Sequence, residues 1–503
     1  MSGPRPACYI YISSQPRRSV LPLRERPNIL LMIADQLSPR VMGAYGDPSS
    51  STPTMDTVAG GGVRFGRAFT PVPLCQPARA SLWSGLPPHQ NGVRSNGNPT
   101  QFPQNHLHVD PPVGDHVLTV GSLLSDAGYT AVHFGKEHDR GALRGFLTEP
   151  EAETPIEGDP RFPLNDDTFR DRNTADRCIE FLKCHADDPF IAVADFNNPH
   201  NICGWVGEHA GLIEPPAGAD GIGLPALPDN FAVDDWDDRP DAVAYLCCSH
   251  PRQAQASRWS PQMFRYYLRA YRHYCQRVDH EMNRVLHALH ARPDANDTVI
   301  MIFADHGDGL ACHGMVTKQT ALYDQFVHVP LIVAGPGIHT QTDALPPLVS
   351  LLDILPTCCE LAGVDTPKDK PGRSLLPWLN GKTPAWRDAV FAAWFTEWGH
   401  TICPARMVRT ERWKYTVYRD PTQPKPQEEL FDLQDDPGET RTLHTNPAYA
   451  ATLNALRDRL AAELEQSADR FWDEPTRVHP QARQHPRGFR HHVGPAAPAM
   501  PRV

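Results

Sequence analysis

The 503-residue chain lacks several features that would assign it at once to a common class of protein. Its longest apolar runs, such as 29–34 and 299–304, fall far short of the roughly 20 residues that cross a bilayer, so we expect no transmembrane helix. The 12 cysteines form no CxxC pair, and some are adjacent, as at 247–248 and 358–359. This spacing is not typical of a disulfide framework or of a structural zinc site.

The chain also lacks clustered basic charge. Its formal net charge is −11, and no long stretch concentrates Lys and Arg as binding to nucleic-acid phosphates requires. We therefore expect no nucleic-acid partner, and an anionic substrate would need a local basic pocket. The apolar patch at 7–12 is too short for a secretory signal, so the expected compartment is the cytoplasm as the sequence is written. A different start site would admit a periplasmic or secreted protein.

What the chain does contain is the composition of a folded protein, with 40% hydrophobic and 21% charged residues. Its length suits one large domain and at least one smaller one. Short apolar segments alternate with amphipathic ones, which predicts an α/β fold with a large, mostly parallel sheet sandwiched by helices. The predicted strands are 28–34, 130–134, 190–196, 299–304 and 330–334. The longest predicted helix, 262–290, carries a stripe of apolar residues at steps of four and three.

The pattern changes near residue 366, where aromatic-rich segments and turns precede an amphipathic helix at about 448–465. We interpret this region as a smaller C-terminal α+β domain with an antiparallel sheet. The predicted divisions are a flexible extension at 1–25, the main α/β domain at 26–365, the C-terminal domain at 366–468 and a tail at 469–503. The tail is rich in Pro, His and Arg and has few large apolar side chains, so we expect it to be disordered.

Three predicted strands end in polar residues that can bind ligands. These residues are Asp35 and Gln36, Lys136 and His138, and Asp305 and His306. Because ligands of open α/β sheets bind beyond the carboxyl ends of the strands, residues distant in sequence can converge there. Two carboxylates, an amide and an imidazole suit calcium, magnesium or manganese better than zinc. A single Asp at a strand end would more often cap a turn, so only the combination predicts a metal site.

The segment CQPARASLWSG, from Cys75 to Gly85, is the most informative in the chain. Pro77 suits the first turn of a helix, which puts Cys75 at the helix N-terminus. The free N–H groups and the dipole there favour an anion and lower the pKa of a thiol. Arg79 lies one turn further on the same face and can hold an oxyanion. An arbitrary cysteine would more often be a buried structural residue.

This segment resembles the signature C-x-P-x-R of the type I sulfatases of the alkaline phosphatase superfamily, and the resemblance extends over about residues 26–460. Further matches follow in the family's order: Asp35 and Gln36 for the first metal pair, Lys136 and His138 in the GK-x-H motif, Pro199 and His200 for the PH pair, Asp305 and His306 for the second metal pair, Lys318 for the downstream lysine, and 429–439 for the strand-and-turn ending. Several matches in one order carry more weight than any single residue.

The resemblance implies a sulfuric ester hydrolase whose Cys75 is oxidised to formylglycine (3-oxoalanine) by a maturation enzyme. The modified residue would attack sulfur beside a divalent metal, with Ca²⁺ expected first and Mg²⁺ or Mn²⁺ as alternatives. The implied metal ligands are Asp35, Gln36, Cys75, Asp305 and His306. The expected substrate is a sulfated small molecule or saccharide, and a sulfated carbohydrate is favoured.

The resemblance also implies a role for each remaining residue. Arg79, Lys136 and Lys318 would stabilise the sulfuryl oxygens. His200, with or without Lys318, would protonate the leaving group, and His138 would help to regenerate the aldehyde. The implied substrate-binding residues are Asn96, Lys136, His200 and Lys318.

Some features leave alternatives open. The Asp-Gln and Asp-His pairs differ from the Asp-Asp and Asp-Asn of many arylsulfatases, and look more like those of choline sulfatases and phosphonate monoester hydrolases. A phosphonate monoester or phosphodiester hydrolase is therefore the first alternative. A non-catalytic carbohydrate-binding relative is the second, and a thiol hydrolase with unmodified Cys75 is the third. The loops 96–108, 201–205 and 396–406 are candidate pocket walls, in which Trp205, Trp398 and His400 either stack on a sugar or pack internally.

Overall fold

The structure of the chain is a computed structural model. It describes residues 25–50, 52–96, 110–150, 168–185, 189–209, 211–219, 223–232, 239–240, 243, 251–318, 321–339, 347–397, 401–420 and 423–476. Within these ranges no helix combines the length and the apolar character that a membrane span requires. Most of the predicted N-terminal extension and the tail beyond 476 lie outside the described residues.

Fourteen strands of the described chain form three sheets. They are β1 (Asn28–Ala34), β2 (Val63–Arg64), β3 (Ala68–Phe69), β4 (Thr130–Gly135), β5 (Leu147–Pro150), β6 (Phe190–Phe196), β7 (Thr298–Phe303), β8 (His328–Val329), β9 (Leu331–Ala334), β10 (Val349–Ser350), β11 (Ala389–Glu397), β12 (Thr401–Thr410), β13 (Trp413–Tyr418) and β14 (Gln427–Asp432). The largest sheet has the order β2-β9-β7-β1-β6-β4-β5, and β3, β8 and β10 form a small second sheet. Strands β7, β1, β6, β4 and β5 run parallel, whereas β9 is antiparallel to both of its neighbours. The predicted mostly parallel sheet is confirmed.

Helices cover both faces of the large sheet. The α-helices of the described residues are α1 (Pro53–Gly60), α2 (Cys75–Ser84), α3 (Pro88–Asn91), α4 (Val120–Asp126), α5 (Thr168–Cys184), α6 (Ile202–Glu208), α7 (Pro251–Ala256), α8 (Pro261–His290), α9 (Asp324–Val327), α10 (Ile354–Ala362), α11 (Leu376–Leu379) and α12 (Ala450–Gln466). Successive residues of β4 contact different helices: His133 packs on Trp83 of α2, and Phe134 packs on Phe181 of α5. Because side chains alternate across a strand, α2 and α5 lie on opposite faces. The predicted sandwich of helices is confirmed.

The long helix α8 forms because one face is apolar throughout and its first turn is capped. Ser260 accepts a hydrogen bond from the backbone N–H of Met263, and Pro261 occupies the first helical position. The whole predicted stripe, from Phe264 to Leu289, is buried in the main hydrophobic core. Tyr271 on this stripe donates to the backbone oxygen of Gln36, so the helix also holds the turn after β1 in place.

The C-terminal region contains the predicted antiparallel sheet, ordered β11-β12-β13-β14. Helix α12 covers one face through a stripe of leucines at 453, 456, 460 and 464, spaced by three and four residues. At the start of the predicted tail, Phe471 is buried and Asp469 pairs with Arg406, whereas Trp472 is exposed. The division of the chain at 365 stays a prediction.

A buried ionic network joins the two regions. The ammonium group of Lys414 on β13 lies 2.7 Å from Asp324 on α9 and 2.7 Å from Glu439. The backbone N–H of Asp324 also donates to Glu439. Since all these groups are largely removed from water, each charge depends on its partners.

Candidate active site

The parallel strands β1, β4, β6 and β7 bring polar residues together at their carboxyl ends, on one side of the sheet. Asp35 follows β1 directly, Lys136 follows β4, and Asp305 lies just beyond β7. The backbone N–H of Asp35 donates to the oxygen of Phe196 on β6 at 3.1 Å. The structure thus brings together residues that are up to 270 positions apart, as the strand-end pattern predicts.

Helix α2 places Cys75 at its first residue, as Pro77 predicts. The helix ends at Gly85, which adopts a φ of 66° and donates its N–H to the oxygen of Ser81 at 2.8 Å. A Cβ at Gly85 would lie 2.9 Å from the side chain of Leu355, so this left-handed position also leaves no room for a larger residue. At the other end, Asn96 accepts a hydrogen bond from the N–H of Gln76 at 3.0 Å. A contact of Asn96 with a substrate stays a prediction.

The thiol of Cys75 is fully buried between basic side chains. Its Sγ lies 3.0 Å from Nε2 of His306 and 3.0 Å from Nζ of Lys318. Burial alone would raise the pKa of this thiol, but Lys318 and His306 outweigh burial and hold the pKa well below the usual value. Position 75 is therefore built to carry negative charge.

Asp35, Cys75, Asp305 and His306 form a cluster whose ligand atoms all lie within 4.8 Å of one another. Nε2 of His306 is 3.9 Å from Oδ1 of Asp35 and 4.0 Å from Oδ1 of Asp305. Burial, followed by the charge of Asp35, raises the pKa of Asp305 to about 6. Two buried carboxylates that face one space in this way fit a cation between them.

Arg79 has partners other than the oxyanion that the sequence predicts for it. Its Nε donates to Asp305 and its Nη2 to Asp35, each at 3.0 Å, and its Nη1 donates to Asp195. The side chain is only 1% exposed. Because all three nitrogens contact carboxylates, the guanidinium orders these side chains, and a contact between Arg79 and a substrate stays a prediction.

Lys136 lies at the same edge, beyond β4. Its Nζ is 2.8 Å from Oδ2 of Asp35 and donates to Oδ1 of Asn197 at 3.0 Å. Asn197 is itself held by Asp171 of α5, which accepts a hydrogen bond from its backbone N–H at 2.6 Å. Burial opposes the charge of Lys136, but Asp35 and Cys75 raise its pKa, so the group stays cationic.

His200 and Lys318 form a pair beside Cys75. Nζ of Lys318 lies 2.8 Å from Nε2 of His200. Burial, with Lys136 and Lys318, lowers the pKa of His200 to about 3, whereas Cys75 raises the pKa of Lys318 despite burial. Lys318 is therefore the proton-bearing member of the pair. His138 also contacts Cys75, and burial lowers its pKa.

Gln36 reaches the site mainly through its backbone. Its N–H donates to Oδ1 of Asp305 at 3.0 Å. Its side-chain Nε2 donates to Asp308 at 2.6 Å, and its Oε1 lies 3.5 Å from Sγ of Cys203. A side-chain contact between Gln36 and a metal stays a prediction.

Three residues that hold the predicted ones in place were not predicted from the sequence: Asp195, Asn197 and Asp308. Asp195 interrupts an otherwise apolar strand, FIAVADF, and a buried charge inside such a run is a signal that was available. Asp308 follows the second metal pair within DHGD. Asn197 carries no comparable signal, because its role depends on the distance to Lys136.

Of the predicted pocket-wall aromatics, only Trp205 lies within the described residues. It is 9% exposed and stacks on His209 with ring centroids 4.0 Å apart, and it also packs on Trp259 and Tyr266. These contacts are those of a packing residue. Trp398, His400 and residues 97–108 lie outside the described residues.

Two family models match the chain. The model described as Sulfatase matches residues 27–364, and the model of the N-sulphoglucosamine sulphohydrolase C-terminal region matches residues 312–466. Together they span both regions of the fold and every residue of the cluster around position 75.

Individual relatives agree with these matches. A Delta 4,5-hexuronate-2-O-sulfatase of Bacteroides thetaiotaomicron is 42% identical over 94% of this chain and 96% of its own length. The solved structure of a 2-O GAG sulfatase, also 42% identical, has a TM-score of 0.85 and covers 94% of this chain and 99% of that chain. The phosphonate monoester hydrolase of Agrobacterium radiobacter is 22% identical, with a TM-score of 0.66 over 88% of this chain and 96% of that chain, and thus shares the fold.

Proposed function

Because this chain belongs to the sulfatase family, and is therefore a hydrolase of sulfate esters, we propose that its substrate is a 2-O-sulfated hexuronate at the end of a glycosaminoglycan fragment. The sulfatase chemistry rests on one observation above all: Cys75, at the head of α2, contacts both His306 and Lys318 inside a cluster of buried carboxylates. The choice of sugar is supported by the 42% identity to a hexuronate-2-O-sulfatase over nearly the whole chain.

We further propose that Asp35, Asp305 and His306, together with residue 75 and Gln36, hold the divalent metal that the family implies. The carboxylate, amide and imidazole donors favour Ca²⁺, with Mg²⁺ and Mn²⁺ as alternatives. Such an ion would polarise a sulfuryl oxygen and offset the charge that develops on it. The position of the two carboxylates supports this proposal, since a nearby cation would offset the burial of Asp305 and its repulsion with Asp35, which together raise the pKa of Asp305.

Cys75 is the proposed site of oxidation to formylglycine, whose hydrate would supply the attacking hydroxyl and a second hydroxyl for release of the sulfate. Lys318 and His306 already favour negative charge at this position. They would therefore stabilise negative charge on the attacking oxygen of the modified residue. Arg79 would hold Asp35 and Asp305 in place around residue 75.

The cations at the site suit the rest of the reaction. Lys136 and Lys318 flank position 75 and would stabilise the sulfuryl oxygens. Nζ of Lys318, which donates to Nε2 of His200, would provide the proton for the leaving oxygen through this pair. His138, in contact with Cys75, would accept the proton that leaves residue 75 as the sulfate departs.

The deciding experiment combines mass spectrometry with paired substrates. Protein from its native host should carry an aldehyde in the peptide containing Cys75. It should release sulfate from an unsaturated 2-O-sulfated disaccharide much faster than from its 6-O-sulfated isomer, and faster than it cleaves a phosphonate monoester. Cys75→Ala should lose this activity, and Cys184→Ala, at an exposed free cysteine, should keep it.

Each contrary outcome overturns a different part of the proposal. Preference for the 6-O-sulfated isomer would overturn the choice of hexuronate. A higher rate on the phosphonate would favour the phosphonate monoester hydrolase. An unmodified, active Cys75 would overturn the formylglycine nucleophile.

A further inference from the structure

Asp195 is a third carboxylate on the guanidinium of Arg79, and the proposed reaction gives it no role. The three acids differ in how they use their oxygens. Asp35 and Asp305 each accept a hydrogen bond from Arg79 at Oδ2, and their Oδ1 atoms lie toward His306. Asp195 also accepts from Arg79 at Oδ2, but it does not belong to the cluster of Asp35, Cys75, Asp305 and His306.

The backbone around Asp195 is paired on both sides. It lies on β6 between β1 and β4, in register with Ile33 on one side and Gly135 on the other. Its backbone oxygen accepts a hydrogen bond from the N–H of Lys136 at 3.1 Å. A Cβ at Gly135 would lie 2.1 Å from that same oxygen, so the strands can approach this closely only with glycine there. Arg79 and Lys136 both contact Asp35, and Asp195 contacts both of them. Its side chain accepts from Arg79, and its backbone oxygen accepts from the N–H of Lys136.

The charge of Asp195 is costly to bury, which argues against a purely structural role. The residue is 0% exposed, and its second partner, Nε2 of His133, lies 3.3 Å from the same Oδ2. Among the described residues, Oδ1 of Asp195 and Nδ1 of His133 have no hydrogen-bond partner. A buried carboxylate bonded through one oxygen only is a poor device for stability, because an apolar pair would avoid the desolvation cost.

We propose that Asp195 is a positioning residue for sulfate ester hydrolysis: it fixes the guanidinium of Arg79, and Arg79 in turn aims Oδ1 of Asp35 and of Asp305 at the metal position. This role rests on the proposed function. Asp195 would support the metal site without binding the metal. Without Asp195, Nη1 of Arg79 loses its partner and the guanidinium can turn away from the two ligand carboxylates.

The test is a titration of Asp195→Asn with Ca²⁺ alone, after treatment with a chelator, with Mg²⁺ and Mn²⁺ run in parallel. Asparagine keeps the shape of the side chain and removes its charge. The dissociation constant for the metal should rise about 10- to 100-fold, the usual cost of losing a group that supports metal ligands. With the metal in excess, kcat should fall while KM changes little, because no contact with the substrate is removed.

Asp353→Asn is the matched control. Asp353 is also fully buried and paired with an arginine, Arg387, but it lies outside the site. Both variants should lower the melting temperature, and only Asp195→Asn should weaken metal binding. Equal metal affinity in the wild type and in folded Asp195→Asn would overturn the proposal. A loss of metal affinity in Asp353→Asn as large as that in Asp195→Asn would also overturn it.

A second variant decides the question if Asp195→Asn does not fold. Asp195→Glu keeps the charge and moves the carboxylate by one methylene, so weaker metal binding supports the proposal and unchanged binding overturns it. If neither variant folds, Asp195 serves folding and the proposal is wrong. Because metal binding is measured without a substrate, a wild type that binds Ca²⁺ but cleaves no sulfate ester would refute the proposed function and leave this test intact.

Discussion

Lys318 places its ammonium nitrogen 3.0 Å from the sulfur of Cys75, although the two residues are 243 positions apart in the chain. The same nitrogen lies 2.8 Å from Nε2 of His200. One cation thus contacts both the proposed nucleophile and the proposed proton-transfer partner. In the proposed mechanism, this geometry would link the attack on sulfur to protonation of the leaving group.

Lys318→Met should therefore reduce kcat by about 10²- to 10⁴-fold, the usual contribution of a positioned acid. Methionine keeps the length of the side chain and removes its charge and its proton. Steady-state kinetics on the sulfated disaccharide measure the effect. Lys382→Met, at an exposed lysine away from the site, should leave kcat unchanged. A loss of less than threefold for Lys318→Met would show that another group supplies the proton.

Removal of the divalent metal should lower both activity and thermal stability. Without a cation, the facing carboxylates of Asp35 and Asp305 repel each other in a buried space. A ligand at 100 times its dissociation constant stabilises the folded state by about 2.7 kcal/mol. Differential scanning fluorimetry with EDTA, followed by added Ca²⁺, should show a fall and then a recovery of the melting temperature. Asp305→Asn should show a much smaller response to Ca²⁺, and an equal response would place the metal elsewhere.

Lys414→Met should strongly destabilise the fold, because it leaves Asp324 and Glu439 buried without their shared cation. Breaking a buried ion pair from one side costs about 3–5 kcal/mol. The free energy of unfolding in urea measures the loss. Arg457→Gln, which breaks a more exposed pair with Glu428, should cost no more than about 1 kcal/mol. Similar losses in the two variants would contradict the importance of burial.

His313 should make stability depend on pH. Its Nδ1 accepts from the amide of Gln325 at 2.9 Å, and its Nε2 lies 3.2 Å from the backbone oxygen of Glu439, which fixes the neutral form. Burial, together with Arg239, holds the pKa of this imidazole well below 6.5. The unfolded chain therefore binds a proton that the folded chain does not.

The contribution of His313 to the free energy of unfolding is present in full above the unfolded pKa of about 6.5. It is lost as the pH falls below that value. The loss approaches about 1.4 kcal/mol per pH unit until the folded pKa is reached. Urea unfolding of the wild type and of His313→Gln between pH 7.5 and pH 5 measures the difference. The wild type should lose more stability over this range, and parallel curves would contradict the prediction.

The sequence alone predicted most of the framework. The bounds of β1 and β6 match the predicted 28–34 and 190–196, because a short apolar run between polar residues is a strong local signal for a buried strand. Helix α8 was predicted to within one residue by its apolar stripe. The direction of β9 was not predictable, since no local pattern records whether a strand runs parallel to its neighbour.

The sequence also determined which residues meet at the edge of the sheet, because parallel strands have their carboxyl ends on the same side and because C-x-P-x-R is a specific motif. Only the tertiary structure decided how those residues are used. Arg79 was expected to face an anion, and the structure also places it against three carboxylates, Asp35 after β1, Asp195 in β6 and Asp305 after β7. The proposed role of Asp195 depends on these contacts. Pairing between side chains depends on distances and directions that arise only once the strands are assembled, and spacing along the chain carries no record of them.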